Sequence, residues 1–265
     1  FGGQIREGVL YGRGAVDMKC AIASFAAATS RFLMRHGNDF AGSISFLITG
    51  DEEGPSINGT PKVLRWMAER EEIIDVCLVG EPTNVDEMGD TIKIGRRGSM
   101  NGRLSVFGSQ GHAAYPHLAD NPVPMMLKML SAIDSEPLDN GSEHFPPSNL
   151  EITTVDVGNE TSNVIPARVD ARFNIRFNDL HTGAGLEQKL RQIIDTIAQE
   201  KETRYGLEFS ISGESFLTPP GPLSLIIQQA AKDVTGRTPE LNTNGGTSDA
   251  RFIKDFCLCF SISVN

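Results

Sequence analysis

Three acids in a row, Asp51, Glu52 and Glu53, close the stretch Ser43–Gly54, SISFLITGDEEG. They follow an apolar run, Ile44 to Ile48, whose alternation predicts a strand. Carboxylates this close repel, and one is driven toward protonation unless a cation or hydrogen-bond donors sit among them. In open α/β sheets, ligands sit beyond the carboxyl ends of strands. The chemistry this suggests is metal-assisted hydrolysis, with one glutamate as metal ligand and its neighbour as general base. For this stretch alone, the structural alternative is a solvated acidic loop, because such loops are common and perturbed carboxylates mark sites only statistically.

Further acids fall at similar places. Asp17 stands near the start of a helical stretch, where an N-cap aspartate is the structural alternative. Glu81, in Gly80-Glu81-Pro82, follows the short apolar run Ile73–Val79. Asp17, Glu52, Glu53 and Glu81 therefore all lie where β–α connections are expected, and carboxylates at three separate positions fit a metal site better than chance loops do. His112 follows a Gly-Ser-Gln-Gly turn that exposes it, as an oxyanion donor or as a plain loop imidazole. Arg96 and Arg97, beside Gly98-Ser99, form a fork that binds carboxylates or pairs on the surface. Asn163 precedes Pro166 in a turn-like segment, and Arg176 lies on a strand. The turn Gly245-Gly246-Thr247-Ser248-Asp249 offers backbone donors to an anion. His36, His117, His144 and His181 lie in polar surroundings and read as surface residues.

Helices and strands must position these groups. A helix is expected to about Arg35, burying Ala21, Ile22, Phe25, Ala28, Phe32 and Leu33 against a sheet. A second runs over Lys62–Glu72 with Pro61 at its start. From Thr91 the character changes. Strand Asn101–Phe107, helix Pro122–Ser135, strands Glu151–Val157 and Arg168–Phe177, helix Glu187–Thr203 and strand Leu207–Ser212 follow in turn. This β-α-β-β-α-β order predicts an antiparallel sheet with two helices, inserted between two parts of a first domain. Helix Leu223–Thr235 and strand Cys257–Val264 return to that first domain. Gly12-Arg13-Gly14 lacks the third glycine of a dinucleotide fingerprint. The expected division is 1–97, 98–211 and 212–265, in an α/β chain.

Bulk composition narrows the class. With 265 residues, 39% of them hydrophobic and 22% charged, the chain is an ordinary globular one of one or two domains. A net charge of −10 argues against a nucleic-acid partner, which needs a basic face. Cys20, Cys77, Cys257 and Cys259 form no CxxC pair and read as reduced thiols. No apolar run has membrane-spanning length, no signal pattern is present, and a cytoplasmic protein is expected.

Gly12-Arg13-Gly14-Ala15-Val16-Asp17-Met18-Lys19, Gly50-Asp51-Glu52-Glu53-Gly54 and Gly80-Glu81-Pro82 resemble the co-catalytic zinc metallopeptidase family of aminoacylases and glutamate carboxypeptidases. Within it, Gly95-Arg96-Arg97-Gly98-Ser99 and Gln110 to Pro122 are similar to the branch that hydrolyses N-succinyl-LL-2,6-diaminopimelate. Phe145-Pro146-Pro147, Ser162 to Pro166 and Gly245 to Phe252 agree with it. The resemblance covers nearly the whole chain. It implies a zinc-peptidase-like mixed sheet flanked by helices, carrying an inserted α+β domain through which the protein forms a homodimer. It implies a pair of zinc ions, one of them replaceable by cobalt, with Asp17 shared between them and Glu53 and Glu81 completing one each. Glu52 would be the general base, and His112 would reach an oxyanion across the dimer interface. Arg96, Ser99, Asn163, Arg176, Gly246, Thr247 and Ser248 would hold the substrate. The reaction implied is release of succinate in lysine and cell-wall precursor synthesis. The close alternative is another deacylase of the family, such as one acting on acetylornithine.

The sequence departs from the family at both ends. The family's His-x-Asp motif belongs upstream of Phe1, and its last zinc-ligand histidine belongs beyond Asn265. Each zinc would then keep Asp17 and one glutamate but lack its imidazole, whereas catalytic zinc normally has three protein ligands. This chain alone is expected to be a poor or dead enzyme. An inactive fragment that still dimerises is the reading from a different class.

Overall fold

Side chains alternate along strand Arg168–Phe177, sending Val169, Ala171, Phe173, Ile175 and Phe177 to one buried face. A computed structural model of the chain describes residues 2–262. It divides into two units, one of residues 97–216 and the other of residues 1–96 with 217–265.

In the 97–216 unit, strand Arg168–Phe177 pairs antiparallel with Gly98–Phe107 on one side and Asn149–Asp156 on the other. Arg204–Gly213 adds to the far side of Gly98–Phe107. Helices Pro122–Asp134 and Gly183–Gln199 cover the apolar face, so the expected β-α-β-β-α-β order is what the chain forms. Met126, Met129, Ile133, Leu190 and Ile194 meet Met100, Leu104 and Phe173 there. Two glycines make room for two rings. Gly102 faces Phe173 and Gly98 faces Phe177 across the ladder. A Cβ on either would stand 2.1 or 2.2 Å from the ring. The second helix begins earlier than expected, because the Thr182 hydroxyl accepts the Gly185 N–H at 3.1 Å and caps it there. It also ends earlier, where Glu202 takes a positive φ of 49°.

The loop after the first of these helices is held by a buried carboxylate. Asp139 accepts hydrogen bonds from Gly141 N–H at 2.7 Å, Ser148 N–H at 3.2 Å, Asn178 Nδ2 at 2.6 Å and His181 Nε2 at 2.9 Å. His181 is thus half-buried against a carboxylate, not a plain surface residue, because its partner lies far away in sequence. Burial pushes the Asp139 pKa up, but the donors on Ser148, Gly141 and Asn178 outweigh it and hold it at about 2. A carboxyl depressed on folding contributes stability above its ordinary value of 3.8 and loses it as pH falls toward about 2. Acid titration followed by circular dichroism should therefore show stability falling across that window. Asp139→Asn should lower stability at neutral pH and flatten the fall; an unchanged acid limb would refute the assignment.

In the other unit, a mixed sheet runs in the order Glu240–Asn242, Thr91–Lys93, Leu258–Ile262, Val76–Gly80. The outer pairs are parallel and the central pair antiparallel. Helix Cys20–His36 sets its first turn on Gly80, where an added Cβ would stand 2.6 Å from Ala21 Cβ and 2.8 Å from Phe25. Only Ala21 of that helix is fully buried; Ile22, Phe25 and Phe32 are half-buried and Ala28 and Leu33 exposed, so the apolar face expected to be covered is covered only in part. Helix Thr60–Ala68 carries Pro61 in its first turn, as expected. The strand expected at Ile44–Ile48 is irregular chain without a ladder partner among the described residues. Its side chains are correspondingly open, with Ile48 62% and Ile44 49% exposed. An apolar run makes a strand only where a neighbour takes up its backbone groups.

Candidate active site

Glu81 stands at the carboxyl end of the parallel pair. Its N–H donates to Ile262 O at 3.0 Å, continuing the ladder one residue past the strand. Asp17 sits in a distorted turn before helix Cys20–His36, not at its N-cap, which is Lys19. Because that helix starts on Gly80, the turn bearing Asp17 and the segment bearing Glu81 are drawn together. Glu52 and Glu53 follow the unpaired stretch, in a turn that Ser56 and Asn58 tie down. Ser56 Oγ donates toward Asp51 O at 3.1 Å, and Asn58 N–H donates to Asp51 Oδ2 at 3.0 Å.

The charges of these groups are felt by one another. Burial, then the charge of Glu52, pushes Glu81 up to about 7, with Asp17 and Glu53 adding and Arg96 opposing. Burial, then Asp249 and Glu53, raises Glu52, with Arg251 opposing. Asp17, Glu52, Glu53 and Glu81 therefore share one neighbourhood, as their places in the sequence suggested. Arg96 is buried beside them, with Nη1 donating to Gly246 O at 2.9 Å. Burial pulls its pKa down, against the pull of Glu81. Around this cluster Arg96 Nε, Ser248 Oγ, Asp249 Oδ1 and Arg251 Nε are buried without a hydrogen-bond partner. Thr247 is half-buried and Gly246 exposed.

The fit to a cation is tested by this chemistry. Hard carboxylate oxygens crowded together out of water are what a divalent cation relieves. Yet among the described residues no group of three or more His, Cys, Asp or Glu is arranged to hold a metal ion. The set fits a cation in charge and lacks a complete ligand shell.

The remaining candidates lie in the 97–216 unit, four of them as two pairs with Arg97 apart. Ser99 faces Arg176 across the ladder, and Arg176 Nε donates to Asn174 Oδ1 at 3.0 Å. Arg97 Nη1 donates to Asn149 Oδ1 at 2.9 Å, and burial lowers its pKa. His112 is joined to Asn163 by a two-stranded ribbon, Gly111–His112 on Val164–Ile165, and Ala113 N–H donates to Asn163 O at 2.8 Å. The exposed His112 ring accepts the Ala114 N–H on Nδ1 at 3.0 Å. An acceptor at Nδ1 puts the neutral ring's proton on Nε2, free to donate outward.

Sequence reasoning missed the residues that brace the acidic turn, Thr49, Ser56, Thr60 and Arg251, and the part Asp249 plays among them. Thr49, Ser56 and Thr60 carry only the signal of hydroxyls flanking the acidic turn, and Asp249 and Arg251 only their place in the stretch Gly245 to Phe252.

Residues 94–202 match a peptidase dimerisation domain. The fold is shared with aminopeptidase PepT from Bacillus cereus, with a TM-score of 0.77 at 21% identity over 99% of this chain and 67% of that one. It is shared too with human carnosine dipeptidase 1, with a TM-score of 0.71 at 18% identity over 98% and 67%. These likenesses show a mixed α/β fold shared with an aminopeptidase and a dipeptidase, carrying a peptidase dimerisation domain. The succinyl-diaminopimelate desuccinylase of Parvibaculum lavamentivorans is 60% identical over 100% of this chain and 66% of its own length. That of Xanthobacter autotrophicus is 54% identical over 97% and 67%. The chain belongs to the succinyl-diaminopimelate desuccinylase family and spans about two thirds of the length of these relatives. Among the described residues no helix is long and apolar enough to cross a membrane.

Proposed function

We propose that the full-length protein hydrolyses N-succinyl-LL-2,6-diaminopimelate to succinate and LL-2,6-diaminopimelate in the cytoplasm, as a step of lysine and diaminopimelate biosynthesis. The observation that carries the reading is the cluster of mutually repelling carboxylates beside a buried arginine, in a chain of this family. Asp17, Glu53 and Glu81 would hold a pair of zinc ions, one of them replaceable by cobalt. Bound zinc supplies Lewis acidity to the water and to the amide carbonyl.

The chain's own groups do the rest. Glu52 takes a proton from the attacking water and delivers it to the departing amine nitrogen. His112 of one protomer donates from Nε2 to the oxygen that becomes negative in its partner's site. Arg96, Ser99, Asn163, Arg176 and the Gly246, Thr247 and Ser248 turn hold the substrate's carboxylates. We assign the chemistry to residues 1–97 and 212–265 and the pairing to 98–211. No observation favours acetylornithine as the substrate.

Equilibrium dialysis against zinc tests the ligand assignment. The full-length protein should bind about two tight equivalents, and Glu53→Ala should lose at least one. Residues 1–265 alone should bind zinc more weakly. Equal stoichiometry and affinity in the Glu53→Ala protein would sink the ligand assignment.

A further inference from the structure

The turn that carries Glu52 and Glu53 has almost no regular structure of its own. Residues 44–50 make no ladder, and Gly50 to Gly54 form no helix. A loop of this kind, carrying repelling carboxylates, would ordinarily sample many conformations. Catalysis by positioned carboxylates needs the opposite, since an error of about 1 Å can cost about a hundredfold in rate.

What holds the turn comes from the other end of the sequence. Upstream of the turn, Thr49 Oγ1 reaches Asp249 Oδ2 at 3.5 Å. Downstream, Thr60 Oγ1 donates to the same oxygen at 2.5 Å, and Thr60 is 1% exposed. One carboxylate oxygen thus pins both flanks of the turn. A second anchor works at its centre. Arg251 Nη2 donates to Ser56 Oγ at 3.0 Å, and Ser56 Oγ is directed at the carbonyls of Asp51, 3.1 Å, and Glu52, 3.4 Å. Ser56 is buried and holds a left-handed φ of 56°, a conformation that needs such surroundings to persist. Asp249 and Arg251 bracket the start of the short helix Ala250–Ile253, whose Ala250 and Ile253 are 1% and 4% exposed, so both anchors stand on fixed backbone.

We infer that Asp249 and Arg251 are positioning residues for the hydrolytic site, clamping the Gly50–Gly54 turn so that the carboxylate of Glu52 is held in place. Neither touches a reacting atom; Arg251 holds the turn through Ser56, and Asp249 through Thr49 and Thr60, while the charges of both are also felt by Glu52. The catalytic half of this inference rests on the proposed hydrolase function, while the clamp itself does not.

The test uses the full-length protein with Arg251→Ala, Ser56→Ala, their double substitution, Asp249→Ala and Asp249→Asn. Amide hydrogen exchange over residues 50–58 is read beside kcat and KM. Arg251→Ala and Ser56→Ala should each speed exchange in that segment and lower kcat roughly ten- to a hundredfold, with KM within about threefold. The double substitution should be no worse than the worse single one, because both act through one chain of contacts. Asp249→Asn keeps an acceptor for Thr60 and should retain protection and most of kcat, where Asp249→Ala should lose both. Unchanged exchange over 50–58 would overturn the clamp. A uniform rise in exchange across the protein, with kcat per folded molecule retained, would reduce both residues to general stability and overturn the positioning role. If the unsubstituted protein released no succinate, the functional reading would fail, and the exchange data would still decide the clamp.

Discussion

Glu52→Gln in the full-length protein is expected to lower kcat for amide hydrolysis by about 10²- to 10⁴-fold, the range for losing a positioned general base. Glutamine keeps the size and hydrogen-bonding reach of the side chain and removes only its ability to take a proton. KM should change little, because Glu52 is not among the groups assigned to the substrate. Zinc content should be unchanged, because it is not among the assigned ligands. Stability should hold or rise. Glu52 is partly buried among Asp249, Glu53 and Asp17, whose charges all oppose its own, while the charges of Arg251 and Arg96 favour it. A destabilised carboxylate that is costly to keep and essential to turnover is the pattern of a catalytic group. Steady-state kinetics and thermal melts on the same preparation check both halves. A kcat within about threefold of the parent would remove Glu52 from the mechanism.

Phe173→Ala should destabilise the 97–216 unit by about 3–5 kcal/mol, the usual cost of removing a fully buried aromatic side chain. Phe173 is 1% exposed, lies over Gly102 and meets the Phe209 ring edge-on at 6.0 Å. Gly102→Ala should also destabilise, by about 1–3 kcal/mol, because the new methyl would be driven into the ring. Together the two changes should cost clearly less than their sum, since the methyl would then occupy volume the ring has left. Denaturant unfolding of the single and double variants measures this. Strict additivity would mean that glycine and ring are not coupled as the ladder places them.

Much of this unit was legible in the sequence because its sheet has one wet and one dry face. Arg168–Phe177 alternates without a break, so its limits were read to the residue. Helix ends were harder. Gly183 is a poor helix former, and the cap on Thr182 overrides it. Ile44–Ile48 shows the other limit, since an apolar pattern states a strand's preference and says nothing of whether a partner is beside it. At the candidate site, Glu52, Glu53 and Glu81 stand out because carboxylates directly after apolar runs are physically dissonant, and Asp17 only through its place near a helix start. Asp249 and Arg251 were not, because a turn aspartate and a helix arginine look ordinary until the chain folds them onto Thr60 and Ser56, which lie far away in sequence. His181 reads as a surface residue in the sequence, and Asp139 carries no signal there, for the same reason.

Succinate release by the full-length protein from N-succinyl-LL-2,6-diaminopimelate, run beside acetate release from N-acetylornithine, tests the central claim most directly. Succinate should form, should cease when zinc is chelated and should return when zinc is restored, with the acetyl substrate turned over far more slowly. No succinate from the zinc-loaded protein, or a preference for the acetyl substrate, would contradict it.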